Sequence, residues 1–288
     1  MASNITGANR EERSGRYLFM LHGACFLLVV GYVNMFQLWA WLSKALGPGA
    51  FAKMLPVIVT LVVLLVISLR FIQRVNRGYR IKFVFLGLGI VGAFLALAIP
   101  DSHFPIKRIH VAEYIILSFL VRYTLSHRLE GLQLTIFTVL VTALYGVHDE
   151  MLQGLHSLRY YGWRDIIVNA VAGFSGAMLG HGLVCFDPYE SGNKAKSGQS
   201  ILSGQVIVFT FLLVTVVWHV IYLYHHVGGN IAYAVFVPIT ACCGVIAGLY
   251  PESVFSSRKN HGLQVIFWLS LALIAYPALA GLNWLEFR

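Results

Sequence analysis

Residues 149–169 concentrate side chains that could perform acid–base chemistry or bind a charged ligand. The stretch reads DEMLQGLHSLRYYGWRDIIVN and holds three carboxylates, two arginines, a glutamine, a histidine and an asparagine, in a chain of which only 11% is charged. The adjacent acids Asp149 and Glu150 suit a general acid/base pair, because mutual repulsion favours keeping one of them protonated. Arg159 can hold a phosphate or carboxylate in two-point fashion.

Helical spacing places these groups on shared faces. Residues four apart lie on one side of a helix, which pairs Asp149 with Gln153 and Asp165 with Asn169. Asp165 can also cap the helix that begins there. Beyond Asn169 the same face carries small residues that let a neighbouring helix approach. They are Ala172, Gly173, Gly176 and Gly180.

A second set of polar residues precedes this stretch. Lys107, His110 and Tyr114 recur at i, i+3 and i+7, again on one helical face. Lys107 is a second candidate for holding an anionic headgroup, and His110 is a candidate proton shuttle. Three helix ends are therefore predicted to bring acids, bases, amides and a tyrosine to one depth.

The elements that must position these residues are membrane helices. The chain has 288 residues, 58% of them hydrophobic, and a mean hydropathy of +0.74. Only 11% of its residues are charged, whereas soluble domains carry roughly a quarter charged residues. We predict an all-α transmembrane bundle, since a span needs about 20 mostly apolar residues. Nine helices are predicted, the fourth and fifth of them short: 17–39, 54–72, 83–99, 111–126, 132–148, 165–186, 201–224, 231–250 and 262–282.

The basic residues predict the orientation. With the N-terminus inside, fourteen of the 21 lysines and arginines, Arg122 among them, fall on the cytoplasmic side. This bias predicts an N-in, C-out protein with the polar site in the outer leaflet. The net charge of +9 is explained by basic loops beside anionic lipid, and we expect no nucleic-acid partner.

The spacing K-x-x-H-x-x-x-Y followed by D-E-x-x-Q-x5-R-x5-D-x3-N resembles the VanZ-like family of bacterial membrane proteins. The positions that carry it are Lys107, His110, Tyr114, Asp149, Glu150, Gln153, Arg159, Asp165 and Asn169. The resemblance covers about residues 83–186. The chain departs from the family pattern at Ile106, where the family usually has Asp, at Ser157 and Leu158, where it has Pro-Gly, and at Ala172, where it has Gly. The founding member is associated with resistance to the lipoglycopeptide teicoplanin.

The resemblance implies a multi-pass protein of the bacterial inner membrane and a division of the chain around its core. We predict a cytoplasmic tail (1–16), a two-helix extension (17–82), the four-helix VanZ-like core (83–186), a cytoplasmic linker (187–200) and a three-helix block (201–288). The expected function is binding or modification of an amphiphilic envelope lipid or lipoglycopeptide-type ligand, with its tail between helices. Asp149, Glu150 and His110 are then the catalytic candidates, and the other six motif residues bind the ligand.

Other interpretations remain open from the sequence. The polar residues could pin two helices together as a structural clamp, and the protein could be a non-catalytic accessory subunit of a larger membrane complex. A metal at His148, Asp149 and His156, or a haem between His22 and His181, has weak support. The string GLGIVG at 87–92 matches a dinucleotide fingerprint, but small-residue helix packing explains it better. No cofactor and no metal are predicted.

Overall fold

The computed structural model describes residues 2–46, 50–100, 105–156, 158–186, 203–226, 235, 237–256, 260–281 and 287. Within these residues the regular structure is helical, with no strand. The helices are α1 (Ala2–Leu46), α2 (Ala50–Asn76), α3 (Phe83–Ala98), a 3-10 turn (Pro105–Arg108), α4 (Ile109–Ser126), α5 (Gly131–Leu155), α6 (Trp163–Gly182), α7 (Ser203–His225), α8 (Val237–Leu249), α9 (Pro251–Phe255), α10 (His261–Ala272) and α11 (Ala275–Gly281). The predicted linker 187–200 lies outside the described residues.

Six segments of the described chain are long and apolar enough to cross a membrane. They are Gly15–Met35, Met54–Asn76, Ile106–Ser126, Gly131–Leu155, Gly204–His225 and His261–Ala280. The prediction that the fourth and fifth helices are short was wrong, because α5 continues through the polar residues at 149–153 and the 3-10 turn extends α4. The short apolar helices are α3 and α8 instead, with 16 and 13 residues.

The polar N-terminal residues also continue a helix. Residues 1–16 were predicted to be a cytoplasmic tail, and the helix α1 begins within them, at Ala2, and is 45 residues long. The sequence there includes the run Arg10, Glu11, Glu12, Arg13, and Arg and Glu are good helix formers. The boundary between tail and first span is therefore one of side-chain polarity, and the backbone is continuous across it.

Helix α6 is the centre of the described structure, packed against α3, α4 and α5. Its small residues allow this, as predicted. A Cβ on Gly173 would lie 2.6 Å from Thr142 of α5, and a Cβ on Gly176 would lie 2.9 Å from the carbonyl oxygen of Ile115 of α4. Contacts this short leave no room for a larger residue at either position, so the small-residue face of α6 brings α4 and α5 together.

The GLGIVG string is part of the same packing. Gly89 and Gly92 of α3 are buried, and a Cβ on Gly89 would lie 2.6 Å from Leu179 of α6. The Ser175 hydroxyl donates to the Gly89 carbonyl at 2.6 Å. The string lies inside a helix and serves helix packing, so the dinucleotide interpretation is excluded.

Arg122, one of the basic residues counted on the cytoplasmic side, lies in α4 and not in a loop. It is fully buried in α4, where its Nε donates to the Cys185 carbonyl at 2.9 Å and its Nη1 to the Thr135 hydroxyl at 3.0 Å. Gly180 makes room for it, since a Cβ there would meet the Arg122 Cδ at 2.8 Å. Arg122 joins α4, α5 and the end of α6, and the predicted charge bias rests on the remaining basic residues.

Candidate functional site

The nine predicted site residues lie together at one end of the α4–α5–α6 group. The 3-10 turn and the start of α4 supply three of them, the last two turns of α5 supply three, the α5–α6 connection supplies Arg159, and the start of α6 supplies the last two. Antiparallel packing of α5 and α6 places the end of one beside the start of the other. A Cβ on Gly146 would lie 2.9 Å from the Asn169 Cβ, so glycine is required where α5 passes Asn169.

Asp149 is the centre of a buried hydrogen-bond network. The Tyr114 hydroxyl donates to its Oδ2 at 3.0 Å, and the Asn169 amide donates to the same oxygen at 3.4 Å. The Gln153 amide donates to Oδ1 at 3.1 Å. Asp149 is fully buried, and three donors from three helices satisfy its carboxylate, as a buried charge requires.

Glu150 is held in a similar way on the other side of Gln153. The Gln153 amide nitrogen donates to Glu150 Oε1 at 2.8 Å, and the Gly162 backbone N–H donates to Oε2 at 2.9 Å. The Gln153 carbonyl in turn accepts a hydrogen bond from the Arg159 guanidinium. Gln153 therefore links two buried acids to a cation in the α5–α6 connection, and its amide orientation is set by these partners.

Lys107 and Asp165 form an ion pair across the α4–α6 boundary. The Lys107 Nζ lies 2.5 Å from Asp165 Oδ2, with the lysine side chain partly exposed and the aspartate buried. Asp165 was predicted to cap α6, but Gly162 occupies the N-cap position without a side-chain bond, and Asp165 lies in the first turn. A carboxylate there is still favoured by the helix dipole.

Two residues of the candidate site, Glu113 and Tyr32, were not among the predicted ones. Glu113 lies one turn after His110 on α4, and its Oε2 is 2.9 Å from His110 Nδ1. The i, i+3 spacing of these two residues is a local signal for that contact. Tyr32 of α1 donates to the Glu113 backbone carbonyl at 2.9 Å and packs against the Tyr114 ring. No local pattern could have placed α1 against this site.

The α5–α6 connection is anchored by Tyr161. Its hydroxyl donates to the Val220 carbonyl of α7 at 3.0 Å. Burial raises the pKa of Tyr161, and the Glu150 carboxylate raises it further, so the phenol stays protonated and keeps this bond at physiological pH. The loop that carries Arg159 is thereby held in place from both sides.

A cavity of about 580 Å³ opens beside these polar residues. One part of its wall is apolar and comes from α1 and α2, through Leu28, Gly31, Met35, Leu38, Leu55 and Val59. The polar part comes from α4, α5, their neighbouring connections and the start of α6, through Lys107, His110, Glu113, Gln153, Arg159 and Asp165. The volume lies within the range of small-molecule sites, about 300–1,000 Å³.

Only one of the three predicted catalytic residues lines this cavity. His110 lines it, whereas Asp149 and Glu150 are fully buried behind Gln153 and do not line it. Their oxygens are engaged by protein donors. Within this structure they position Gln153, Tyr114 and the α5–α6 connection, and His110 is the catalytic candidate that reaches the cavity.

The histidines considered as metal or haem ligands have other partners. His148 is buried, with Nδ1 2.7 Å from the Tyr276 hydroxyl and Nε2 3.0 Å from the Leu269 carbonyl oxygen. His22 faces His261, their Nε2 atoms 3.2 Å apart, and His181 lies beside Thr135. In the part of the chain that the structure describes, no three His, Cys, Asp or Glu residues form a metal-binding group. Ser157, where the family usually has proline, lies outside the described residues.

Comparison of the chain with protein-family models, curated proteins and solved structures finds no match. The VanZ-like resemblance therefore stays a prediction from the motif residues.

Proposed function

We propose that the protein binds an amphiphile, with the headgroup at the polar end of the cavity and the tail between α1, α2 and α4. The observation that carries this proposal is the continuity of one cavity from apolar side chains to a cluster of charged and amide groups. A soluble polar ligand would make no favourable contact with the apolar wall formed by Leu28, Met35 and Leu55. A wholly apolar ligand would leave the charged end without a partner.

The dimensions of the cavity suit one leaflet of a bilayer. Its wall on α1 extends from Leu28 to Leu38, a rise of about 15 Å at 1.5 Å per residue. The hydrocarbon core of a bilayer is about 30 Å thick. An amphiphile with its head beside Lys107 and its tail pointing to Leu28 would therefore occupy half a membrane. From the charge bias we infer that this is the outer half.

The polar end should dominate selectivity. A lipid tail that moves from the bilayer into this cavity exchanges one apolar environment for another and gains little free energy. The headgroup instead leaves the wet interface for a site of low dielectric constant, where correctly placed charges have larger effects. We assign Lys107, His110, Glu113, Gln153, Arg159 and Asp165 to the headgroup, with Asp149, Glu150, Tyr114 and Asn169 positioning them from behind.

Native mass spectrometry of the full chain, extracted gently from its own membranes, tests the proposal. Gly31 lines the cavity and Gly23 does not, and both lie on α1 with open space where a side chain would project. Gly31→Trp should fill the apolar part and remove a bound lipid adduct, whereas Gly23→Trp should retain it. Arg159→Ala should also weaken the adduct.

Two results would overturn this proposal. The first is an adduct of equal occupancy in Gly31→Trp and Gly23→Trp, which would mean that the lipid binds elsewhere. The second is co-purification with other membrane subunits at fixed stoichiometry and no lipid that depends on Arg159, which would support the accessory-subunit alternative.

A further inference from the structure

We propose that the headgroup of the ligand carries a protonated primary amine, bound by the Glu113 carboxylate in the cavity wall. This inference rests on the proposed amphiphile site and names the chemistry of its ligand. It comes from one acceptor oxygen in the cavity wall that receives no hydrogen bond from the described residues, and from the order of the charged groups along that wall.

The polar wall on α4 is ordered along the cavity. Lys107, His110, Glu113 and Ile116 all line it and follow one another at intervals of three residues. Each interval is a rise of about 4.5 Å, so Glu113 lies about 9 Å along the helix axis from Lys107. Ile116 begins the apolar part. The deepest charged group that the head of an amphiphile meets is therefore a carboxylate.

Glu113 has one oxygen that its own protein leaves without a hydrogen bond. Its Oε2 is 2.9 Å from His110 Nδ1, but Oε1 has no hydrogen-bond partner among the described residues. The residue is only 7% exposed and lines the cavity. A carboxylate this buried needs donors for both oxygens, and the cavity is the side from which a ligand can supply the second one.

The adjacent imidazole does not supply this second donor. His110 Nδ1 donates to the other oxygen, Oε2, at 2.9 Å, since a carboxylate only accepts hydrogen bonds. Oε1 therefore stays without a donor among the described residues. An ionised phosphate or carboxylate, which can only accept, would leave it unsatisfied, whereas a primary ammonium has three N–H donors.

Four probes with the same twelve-carbon chain test this inference on the purified full-length protein in lipid nanodiscs. They are dodecylamine, dodecyltrimethylammonium, dodecyl glucoside and dodecyl phosphate, and occupancy is measured by native mass spectrometry at equal concentrations. Dodecylamine should bind roughly tenfold or more tightly than dodecyl phosphate, the effect of one hydrogen bond to a charged group. It should also exceed dodecyltrimethylammonium, which carries the charge without an N–H donor.

Glu113→Gln should abolish the preference for dodecylamine, because the charge is lost while the side-chain shape is kept. Glu130→Gln is the matched control, since Glu130 precedes the opposite end of α5, and it should retain the preference. If Glu113→Gln does not fold, the ranking of the four probes on the unmodified protein decides.

The outcomes separate this inference from the function it rests on. Dodecyl phosphate or dodecyl glucoside binding as tightly as dodecylamine, in a manner that Gly31→Trp abolishes, would overturn the amine assignment and leave the amphiphile site in place. Equal binding of all four probes that Gly31→Trp does not change would overturn both.

Discussion

Removing one hydroxyl group should show how strongly the buried network depends on Asp149. Tyr114 is fully buried, and its hydroxyl donates to Asp149 Oδ2 at 3.0 Å. Tyr114→Phe keeps the ring and deletes that donor, so Asp149 retains Gln153 and Asn169 alone. A hydrogen bond to a charged group contributes about 1.5–3 kcal/mol, and we expect the free energy of unfolding to fall by that amount.

Tyr145→Phe is a matched control on the neighbouring helix. Tyr145 is buried to the same degree, but its hydroxyl donates at 3.3 Å to a neutral partner, the His22 carbonyl. A neutral hydrogen bond contributes about 0.5–1.5 kcal/mol. Both variants lose one oxygen atom from a packed tyrosine, so the difference between them, about 1 kcal/mol, reports the charge on Asp149.

The protein carries its own reporter for this comparison. All four cysteines are free thiols; Cys25, Cys185 and Cys243 are buried and Cys242 is half-buried. The buried thiols become accessible to a thiol-specific dye when the helices separate, so the dye reports unfolding. A difference of about 1 kcal/mol corresponds to roughly 2–4 °C in Tm. Tyr114→Phe should therefore melt several degrees below the unmodified protein and below Tyr145→Phe. Equal Tm values for the two variants would refute the argument that Asp149 is an ionised centre of the network.

Two further substitutions probe the network and the packing that supports it. Asp149→Asn turns one accepting oxygen into a donor, which either opposes the Gln153 amide or forces that amide to rotate. We therefore expect the folded yield in size-exclusion chromatography to fall together with ligand binding. A normal yield with complete loss of activity would instead give Asp149 a direct chemical role. Gly176→Leu should destabilise the bundle by about 1–3 kcal/mol or more, because even a Cβ would lie 2.7 Å from the Ser118 Cβ. Gly244→Leu is the control and should melt normally, since nothing lies within 4 Å of its Cβ position. Similar melting temperatures for the two variants would contradict the close α4–α6 packing.

Helical periodicity was sufficient to predict which polar residues meet. The i, i+4 pairs at Asp149 and Asp165, and the small-residue face beyond Asn169, are local properties of single helices, and antiparallel neighbours joined by a short connection must place their ends side by side. The structure brings the nine predicted site residues together at one end of α4, α5 and α6. The same rules could not assign depth within the bundle, which is why the buried Arg122 was counted among the basic residues of the cytoplasmic side.

Composition and the continuity of the apolar runs determined that this is a helical chain with segments suited to a membrane. In lipid every backbone polar group must be satisfied within the protein, and the 58% hydrophobic residues occur in continuous runs, whereas membrane strands alternate apolar and polar residues. Tertiary structure alone decided which polar groups face the cavity. Gln153 screens Asp149 and Glu150 from it, Glu113 lines it, and α1 and α2 supply its apolar wall. These relations depend on contacts between helices that are far apart in the chain, and such contacts follow from how whole surfaces pack, not from the spacing of residues along one helix.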